Sequence, residues 1–340
     1  MENIYGFTLP KLENYFLEKG DKKFKATQVF EWLYKHRICS FEEMKNVSKN
    51  TIADLKENFT LTPLTLLQQQ VDIDVCKFLF GLEDGNKIEA VLMKHDYGNS
   101  LCVSSQVGCN MGCTFCESGR LRKVRNLEVH EMVEQILQVE KELDIKISHL
   151  VLMGIGEPFD NYNNIMDFIS ILNEPKGIDL GSRHITVSTC GIVPKILEFM
   201  KNGKQVNLAI SLHAPNNEIR NKIMKINQVY KIEEVIEAVK KYIKETNRRV
   251  TFEYILLKDI NDKEEHAIEL SKILKGINCY VNLIPYNETS HIEYKKSSKE
   301  TIMKFYDTLK KNHINVTIRK EFGSKVSAAC GQLRANYEEG

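Results

Sequence analysis

Among its 340 residues the chain has no run of apolar residues approaching the roughly 18 that a bilayer-spanning helix needs. Its first residues, from Met1 to Phe16, form neither a basic stretch followed by an apolar core nor an Arg/Ser-rich leader. Both absences point to a cytoplasmic protein with no membrane partner. An excess of charge is lacking as well: 47 basic against 46 acidic residues leave +1, so net charge carries no signature of nucleic-acid binding. Internal repeats and low-complexity segments are missing, which excludes a repeat array.

Cysteine, by contrast, is plentiful. There are nine, an odd number without an export signal, and Cys109, Cys113 and Cys116 fall within eight residues. That pattern fits a reducing compartment with metal binding or catalysis better than a disulfide framework. Basic residues also gather locally, at Lys22, Lys23 and Lys25, at Arg120, Arg122, Lys123 and Arg125, and at Lys295 and Lys296. Such clusters can grip phosphates, although each alone is more commonly a solvated face.

Residues 8–59 read as short helices broken near Gly20 and Ser40; Val29, Phe30, Leu33 and Tyr34 share one face at helical spacing. From 76 to 93 the period changes to that of strands, with Glu83-Asp84-Gly85-Asn86 as a hairpin turn. Beyond 98, strand-like runs at SLCVSS, HLVLMG, HITVST, VNLAISL, VTFEYILL, CYVNLIP and NVTIR alternate with helices, the clearest spanning Val129–Leu143. Alternation of this kind predicts a parallel sheet with crossover helices. Six or so units are too few for a closed eight-fold barrel. The expected fold is therefore α/β: a partial, open β/α barrel over 98–335, a helical domain over 1–60 and a hairpin linker over 61–97. In such sheets ligands collect at the C-terminal strand ends, where the candidate motifs fall.

The strongest chemical signal is Cys109-x3-Cys113-x2-Cys116. Three thiolates suit three corners of a four-iron cluster, leaving one iron open to chelate a small molecule. The competing reading is structural zinc, which requires a fourth ligand such as Cys102 in a closed tetrahedral site. At Gly154-Ile155-Gly156-Glu157-Pro158 the glycines allow close approach of backbone to a ligand, and Glu157 can accept a hydrogen bond from an amine. Glu89, on the hairpin, reads as a solvent-facing strand residue, His213 as a structural histidine, and Cys330 as a small buried residue. Cys39, Cys76, Cys190 and Cys279 have no motif context and read as structural.

With Phe115 before its last cysteine, the triad is the signature of radical S-adenosylmethionine (SAM) enzymes. Together with CVSSQVGCNMGCTFC, VLMGIGEPFDNYNNI, HITVSTCGIVP, ISLHAPNNEIR, VNLIPYN and AACGQL, it resembles the RlmN/Cfr family of RNA adenine methyltransferases, from about Leu9 to Arg334. The resemblance implies one 4Fe-4S cluster on Cys109, Cys113 and Cys116, and two molecules of S-adenosyl-L-methionine per turnover. Cofactor contacts carry over to Gly156, Glu157, Ser188, Ser211, Leu212, His213 and Asn287. Cys330 is implied to become S-methylcysteine and to pass a methylene to adenine after hydrogen abstraction by a 5′-deoxyadenosyl radical. Glu89 is then the proton acceptor, and Cys102 releases the product by closing a disulfide with Cys330.

The implied substrate is an adenosine of 23S rRNA at the peptidyl-transferase centre, and for some members a tRNA anticodon-loop adenosine. Lys22, Lys23, Lys25, Lys35 and Arg37 are implied to help hold RNA. Electron supply from a flavodoxin or ferredoxin and a monomeric state are likewise implied. FEWLYKHRICSFEEM favours methylation at carbon 2; EFGSKVSAACGQLRANY resembles the antibiotic-resistance branch that methylates carbon 8. A non-catalytic zinc protein that binds RNA is the alternative from another class. Glu117, Arg122 and Lys325-Val326-Ser327 depart from the family pattern and bear on substrate choice.

Overall fold

The computed structural model describes residues 1–319 together with Gln332 and Leu333. Ten strands form one sheet in strict sequence order: β1 Thr65–Asp72, β2 Val75–Gly81, β3 Lys87–His95, β4 Gly98–Cys102, β5 His149–Leu152, β6 Ile185–Thr189, β7 Asn207–Ser211, β8 Val250–Leu256, β9 Cys279–Pro285 and β10 Val316–Ile318. From β1 to β4 neighbours pair antiparallel; from β4 to β10 every pairing is parallel. The sheet is not closed: β1 and β10 are its edges. The expected open barrel is thus present, and the 76–93 hairpin is part of its sheet.

The strand β1, absent from the sequence reading, has a reason to be inconspicuous. Its run LLQQQVD is polar and lies mostly at the surface of an edge, so no apolar alternation marks it.

Among the described residues there are eleven α-helices: α1 Leu9–Glu18, α2 Phe24–Tyr34, α3 Lys49–Asn58, α4 Glu117–Arg120, α5 Val129–Leu143, α6 Tyr162–Asn173, α7 Val193–Asn202, α8 Asn217–Ile223, α9 Ile232–Thr246, α10 Glu264–Leu274 and α11 Lys299–Lys311. Their starts follow capping chemistry. Thr8 accepts from the Lys11 N–H, Ser48 from Thr51 and Ser298 from Thr301, each satisfying an orphan donor of the first turn. In α5, Val129, Met132, Val133, Ile136 and Val139 are buried, as the spacing predicts. The side chain of Gln135 then bonds both the N–H and the C=O of Ser104, fixing this helix to the segment after β4.

Register explains the two faces of the parallel sheet. Leu150, Ile185, Leu208, Ile210, Val250, Phe252, Val281 and Leu283 point outward into one core under the helices. Each such buried aliphatic side chain stabilises the fold by roughly 1.5–3 kcal/mol. The alternate positions, Ser188, Ser211, Glu253 and Asn282, face the concave side. The convex face is apolar, whereas the concave face sets these polar groups among Val151, Ala209 and Ile255, a mixed lining suited to a ligand.

The N-terminal helices share that core. Phe16, Phe30, Leu33 and Tyr34 belong to the same buried cluster as the barrel's outer face, and Glu2–Asn3 pairs in parallel with Phe59–Thr60 to close the unit. No helix among the described residues is long and apolar enough to cross a membrane.

Candidate active site

After β4 the chain enters the loop that carries the three cysteines. The Cys109 N–H donates to Leu121 O at 3.1 Å and the Thr114 N–H to Ile223 O at 3.0 Å, so the loop is held at both its own far end and at α8. Gly119 permits this compact fold: a Cβ there would meet the Cys113 carbonyl oxygen at 2.6 Å. All three cysteines, with Met111 and Phe115, line a cavity at the C-terminal ends of β5–β9, beside Gly156, Glu157, Ser188, Ser211 and His213. Residues from Cys109 to Arg319, far apart in sequence, meet here around one hollow.

Burial pushes the Cys109 thiol up to about 12, and burial together with its neighbours Cys116 and Cys109 pushes Cys113 well above its ordinary value. Thiolates are therefore unfavourable in this hollow unless positive charge accompanies them, which a bound iron core supplies. Among the described residues no three His, Cys, Asp or Glu side chains converge on a single ion. Three cysteines lining one cavity suit a cluster in which each takes a different iron. The residues present fit the group that the triad implies.

Opposite the loop, the strand-to-helix turn after β5 carries Glu157. Its side chain is 4 % exposed. Oε1 accepts from the Phe159 N–H at 3.0 Å and Oε2 from the Cys190 N–H at 2.7 Å, while burial raises its pKa. The Thr189 and Cys190 side chains bond the same carboxylate, which is thereby held in place on the wall of the cavity. Gly156 sits at φ +111°, and a Cβ there would lie 2.6 Å from the Cβ of Gln106. Its glycine is thus required by close packing on the segment before the cysteine loop, a cause different from the close ligand approach expected from sequence. Gln106 completes the joint by accepting from the Glu157 N–H at 2.9 Å and donating to Asp160 at 2.9 Å.

Ser188 and Ser211, at the ends of β6 and β7, lie 3.3 Å apart, oxygen to oxygen. His213 adopts φ +58°, a strained setting for a non-glycine residue. Its Nδ1 accepts from the Ile255 N–H at 3.0 Å, which leaves the ring proton on Nε2. Burial first, and Arg220 second, lower its pKa to about 3, so the ring is neutral at physiological pH. Phe115 meets it edge-to-face with centroids 5.0 Å apart. The histidine is both a brace for β8 and a donor-bearing wall of the cavity.

Two expected contacts lie elsewhere. The Leu212 side chain is fully buried in the main core, and its N–H donates to Glu253 O at 3.1 Å. Asn287, half-buried after β9, donates weakly to Pro285 O at 3.5 Å and is not among the residues lining the cavity.

Glu89, expected to face solvent, is instead 5 % exposed and ion-paired with Lys77 at 3.0 Å on the neighbouring strand. It belongs to the concave face because its β3 neighbour Val91 pairs with Cys102 in register. Cys102 is buried with Val91, Met93, Ile155 and Leu333. Ser104 couples this corner to the cofactor side, donating to Glu89 O at 2.6 Å and accepting from the Ile155 N–H at 3.0 Å. Cys330 and Lys325-Val326-Ser327 lie outside the described residues. Leu333, three residues past Cys330 in sequence, accepts from the Ser118 hydroxyl at 2.7 Å.

Three residues at the site had escaped the sequence reading. Arg220 is entirely buried and bonds only neutral acceptors: Leu212 O, Cys190 O, Ser211 O, Tyr230 O and the Asn227 amide oxygen. It ties together the ends of β6, β7 and the turn after α8. Glu253, on the cavity wall, is buried with its pKa raised by burial and accepts from Asn282 at 2.9 Å. Cys190, read as structural, lines the cavity and supplies the N–H that holds Glu157. A carboxylate alternating with apolar residues in VTFEYIL was the available signal for Glu253. The departure at Glu117 places a carboxylate with 3 % exposure within 3.4 Å of His291 Nδ1. Many of the basic residues singled out are paired internally: Arg125 with Glu131 and Asp84, Lys123 with Asp160, Lys25 with Asp21 and Lys295 with Glu288.

A half-barrel with a cysteine-lined hollow at its strand ends defines a radical SAM enzyme, and a family model described as the radical SAM superfamily matches residues 103–271. A second, described as the ribosomal RNA large subunit methyltransferase N-terminal domain, matches 2–61. The chain is 55 % identical over 98 % of its length, and 96 % of the relative's, to the probable dual-specificity RNA methyltransferase RlmN of Enterococcus faecalis. It is 54 % identical to the protein of the same name in Acholeplasma laidlawii, with 98 % of each covered. Among solved structures it superposes on a radical SAM methyltransferase from Sphaerobacter thermophilus with a TM-score of 0.93, at 40 % identity, covering 99 % of this chain and 100 % of that one. The chain belongs to the RlmN family.

Proposed function

We propose that this chain is an S-adenosylmethionine-dependent RNA methyltransferase that modifies carbon 2 of an adenosine, in 23S rRNA and also in tRNA. The observation that carries the reading is the single cavity in which three cysteines face Glu157, Ser188, Ser211 and His213. The RlmN name of its relatives favours carbon 2 over carbon 8 and over a zinc-binding protein. When bound, the iron–sulfur cluster on Cys109, Cys113 and Cys116 supplies the electron that cleaves the sulfonium and generates a carbon radical.

The chain's own groups do the rest. Glu157 holds the cofactor's ammonium group by charge, its carboxylate positioned by the two backbone N–H bonds behind it. Nε2–H of neutral His213 and the Ser188 and Ser211 hydroxyls orient the remainder of the cofactor, with Asn287 closing from the loop after β9. Cys330 carries the methyl group as a thioether, so the carbon to be transferred stays fixed while the first cofactor molecule leaves and a second takes its place. Glu89, paired with Lys77, is the base that takes the proton from the adenine ring. Cys102 attacks the Cys330 sulfur, forming a disulfide and releasing the methylated base. Residues 1–60 serve as the RNA-binding accessory unit, 61–97 as the linking hairpin and 98–335 as the catalytic core. A flavodoxin or ferredoxin is the electron donor, the chain works as a monomer, and it acts in the cytoplasm.

The test is mass spectrometry of RNA digests from a deletion strain carrying either this gene or its Cys330→Ala variant. The gene should restore 2-methyladenosine and the variant should not, with S-methylcysteine found at Cys330 in anaerobically prepared protein. Recovery of 8-methyladenosine alone would overturn the position, and methylation by Cys330→Ala would overturn the carrier.

A further inference from the structure

Arg220, in α8, is a fully buried cation without an anion. Its guanidinium donates to four backbone carbonyls and the Asn227 amide oxygen, all of them neutral. Among the described residues no carboxylate pairs with it, and the only charges that act on it belong to Cys190 and Cys113. Bracing strand ends accounts for the fork of N–H donors and not for the charge. Taking a lone ion out of water is costly, and only an opposite charge repays that cost.

The unmatched charge faces the cysteine-lined cavity. Nη2 donates at 2.6 Å to the carbonyl of Cys190, a residue of the cavity wall, and at 3.4 Å to that of Ser211, another. The helix that carries Arg220 also holds the cysteine loop, since Ile223 O accepts from the Thr114 N–H at 3.0 Å. Glu157 bonds the N–H of Cys190 and Arg220 its carbonyl, without an ion pair between the two side chains. Arg319, the other cation on the lining, acts on Glu253. The field of Arg220 reaches His213, whose protonation it opposes, and Cys113, whose thiolate it favours against burial.

We propose that Arg220 is the counter-charge of the iron–sulfur cluster, stabilising its reduced form and so raising its midpoint potential. The inference rests on the cluster reading of the cysteine triad. Three thiolates leave a four-iron cluster net negative, and a single added electron makes it more so. Net charge and burial are among the levers that set such potentials. A cation shielded from water acts on that electron at low dielectric, in a hollow whose carboxylates Glu157 and Glu253 oppose it.

Asn227→Asp tests the charge while leaving the fork in place. The new carboxylate replaces the oxygen that accepts from Nη1 at 3.1 Å and neutralises the guanidinium where it stands. At pH 8 a carboxyl bonded to a guanidinium is ionised. The full-length anaerobic protein is titrated against ambient potential, with the reduced cluster read by electron paramagnetic resonance. At a fixed potential the reduced-to-oxidised ratio should fall at least about tenfold, about 59 mV for one electron. Asn227→Ala removes the same bond and, like the aspartate, the donor to Asn221, but adds no charge, so its ratio should stay near that of the wild type. A purely structural brace predicts equal shifts in the two variants; equal shifts, or none in Asn227→Asp, overturn the proposal. Loading with iron and sulfide should raise Tm less in Asn227→Asp than in Asn227→Ala, because only the former already has an anion on Arg220, and equal gains count against it. Should Asn227→Asp not fold, Arg220→Lys and Arg220→Gln read the same charge. Both lose the fork and only the glutamine loses the charge, so the ratio should fall in Arg220→Gln alone; equal potentials overturn the proposal. Iron and sulfide analysis separates the failures. Wild-type protein without iron overturns the cluster reading together with this role, whereas a loaded cluster of unmoved potential overturns the role of Arg220 alone.

Discussion

Glu157 and His213 show how single residues are set for a task by the backbone behind them. Two N–H groups fix the carboxylate, and one N–H fixes the tautomer of the imidazole. His213 also makes stability depend on pH. Its folded pKa, about 3, lies below the ordinary 6.5, so between those values the unfolded chain binds a proton that the folded one does not. Stability from this residue is thus complete above about pH 6.5 and falls as pH falls. Replacing His213 with Gln should flatten the urea-unfolding difference between pH 6.5 and 5.5 by about 1 kcal/mol. An unchanged slope would show that the ring titrates normally. Any one of Cys109→Ala, Cys113→Ala or Cys116→Ala should yield colourless anaerobic protein with little iron or sulfide, while Cys279→Ala should leave the iron content intact.

Between residues and the whole fold lie the joints that hold strand ends in register. Arg220 is the clearest: a buried cation whose partners come from β6, β7 and the turn after α8. Lysine cannot reproduce its planar fork. Arg220→Lys should therefore strip several carbonyls of their donors and destabilise the protein by at least about 3 kcal/mol, read as a fall in Tm, with cofactor affinity lost in parallel. Gly156→Ala tests the other joint. A methyl group against Gln106 at a positive φ should cost roughly 1–3 kcal/mol and displace Glu157, weakening cofactor binding more than it lowers stability. Retention of full cofactor affinity would mean that the Gln106 segment yields freely.

On the scale of the molecule, the ten strands run in chain order, so each βα unit adds to the edge left by the last and the concave face is continuous from Glu89 to Asn282. The single core shared by the N-terminal helices and the barrel predicts that removing residues 1–60 exposes Phe30- and Tyr34-facing surface and gives aggregated protein, measurable by light scattering. A soluble, folded 61–340 fragment would contradict that.

Much of this was legible in the chain itself. The seven strands from β4 to β10 announced themselves by apolar runs, α5 by its period, and the cysteine triad by spacing, because these signals are local and set by pleat, helical turn and ligand chemistry. Glu89, Arg220 and Glu253 were not, since nothing about a carboxylate or a guanidinium in sequence says whether it is buried. That depends on which strand pairs with which and in what register, a shift of one residue being enough to turn Glu89 or Glu253 from the concave face to the convex. Sequence alone thus determined the alternation of elements and the position of the cysteine triad at the end of a strand. Only the tertiary structure decided which polar groups meet across the hollow, because burial and contact are properties of distant segments brought together.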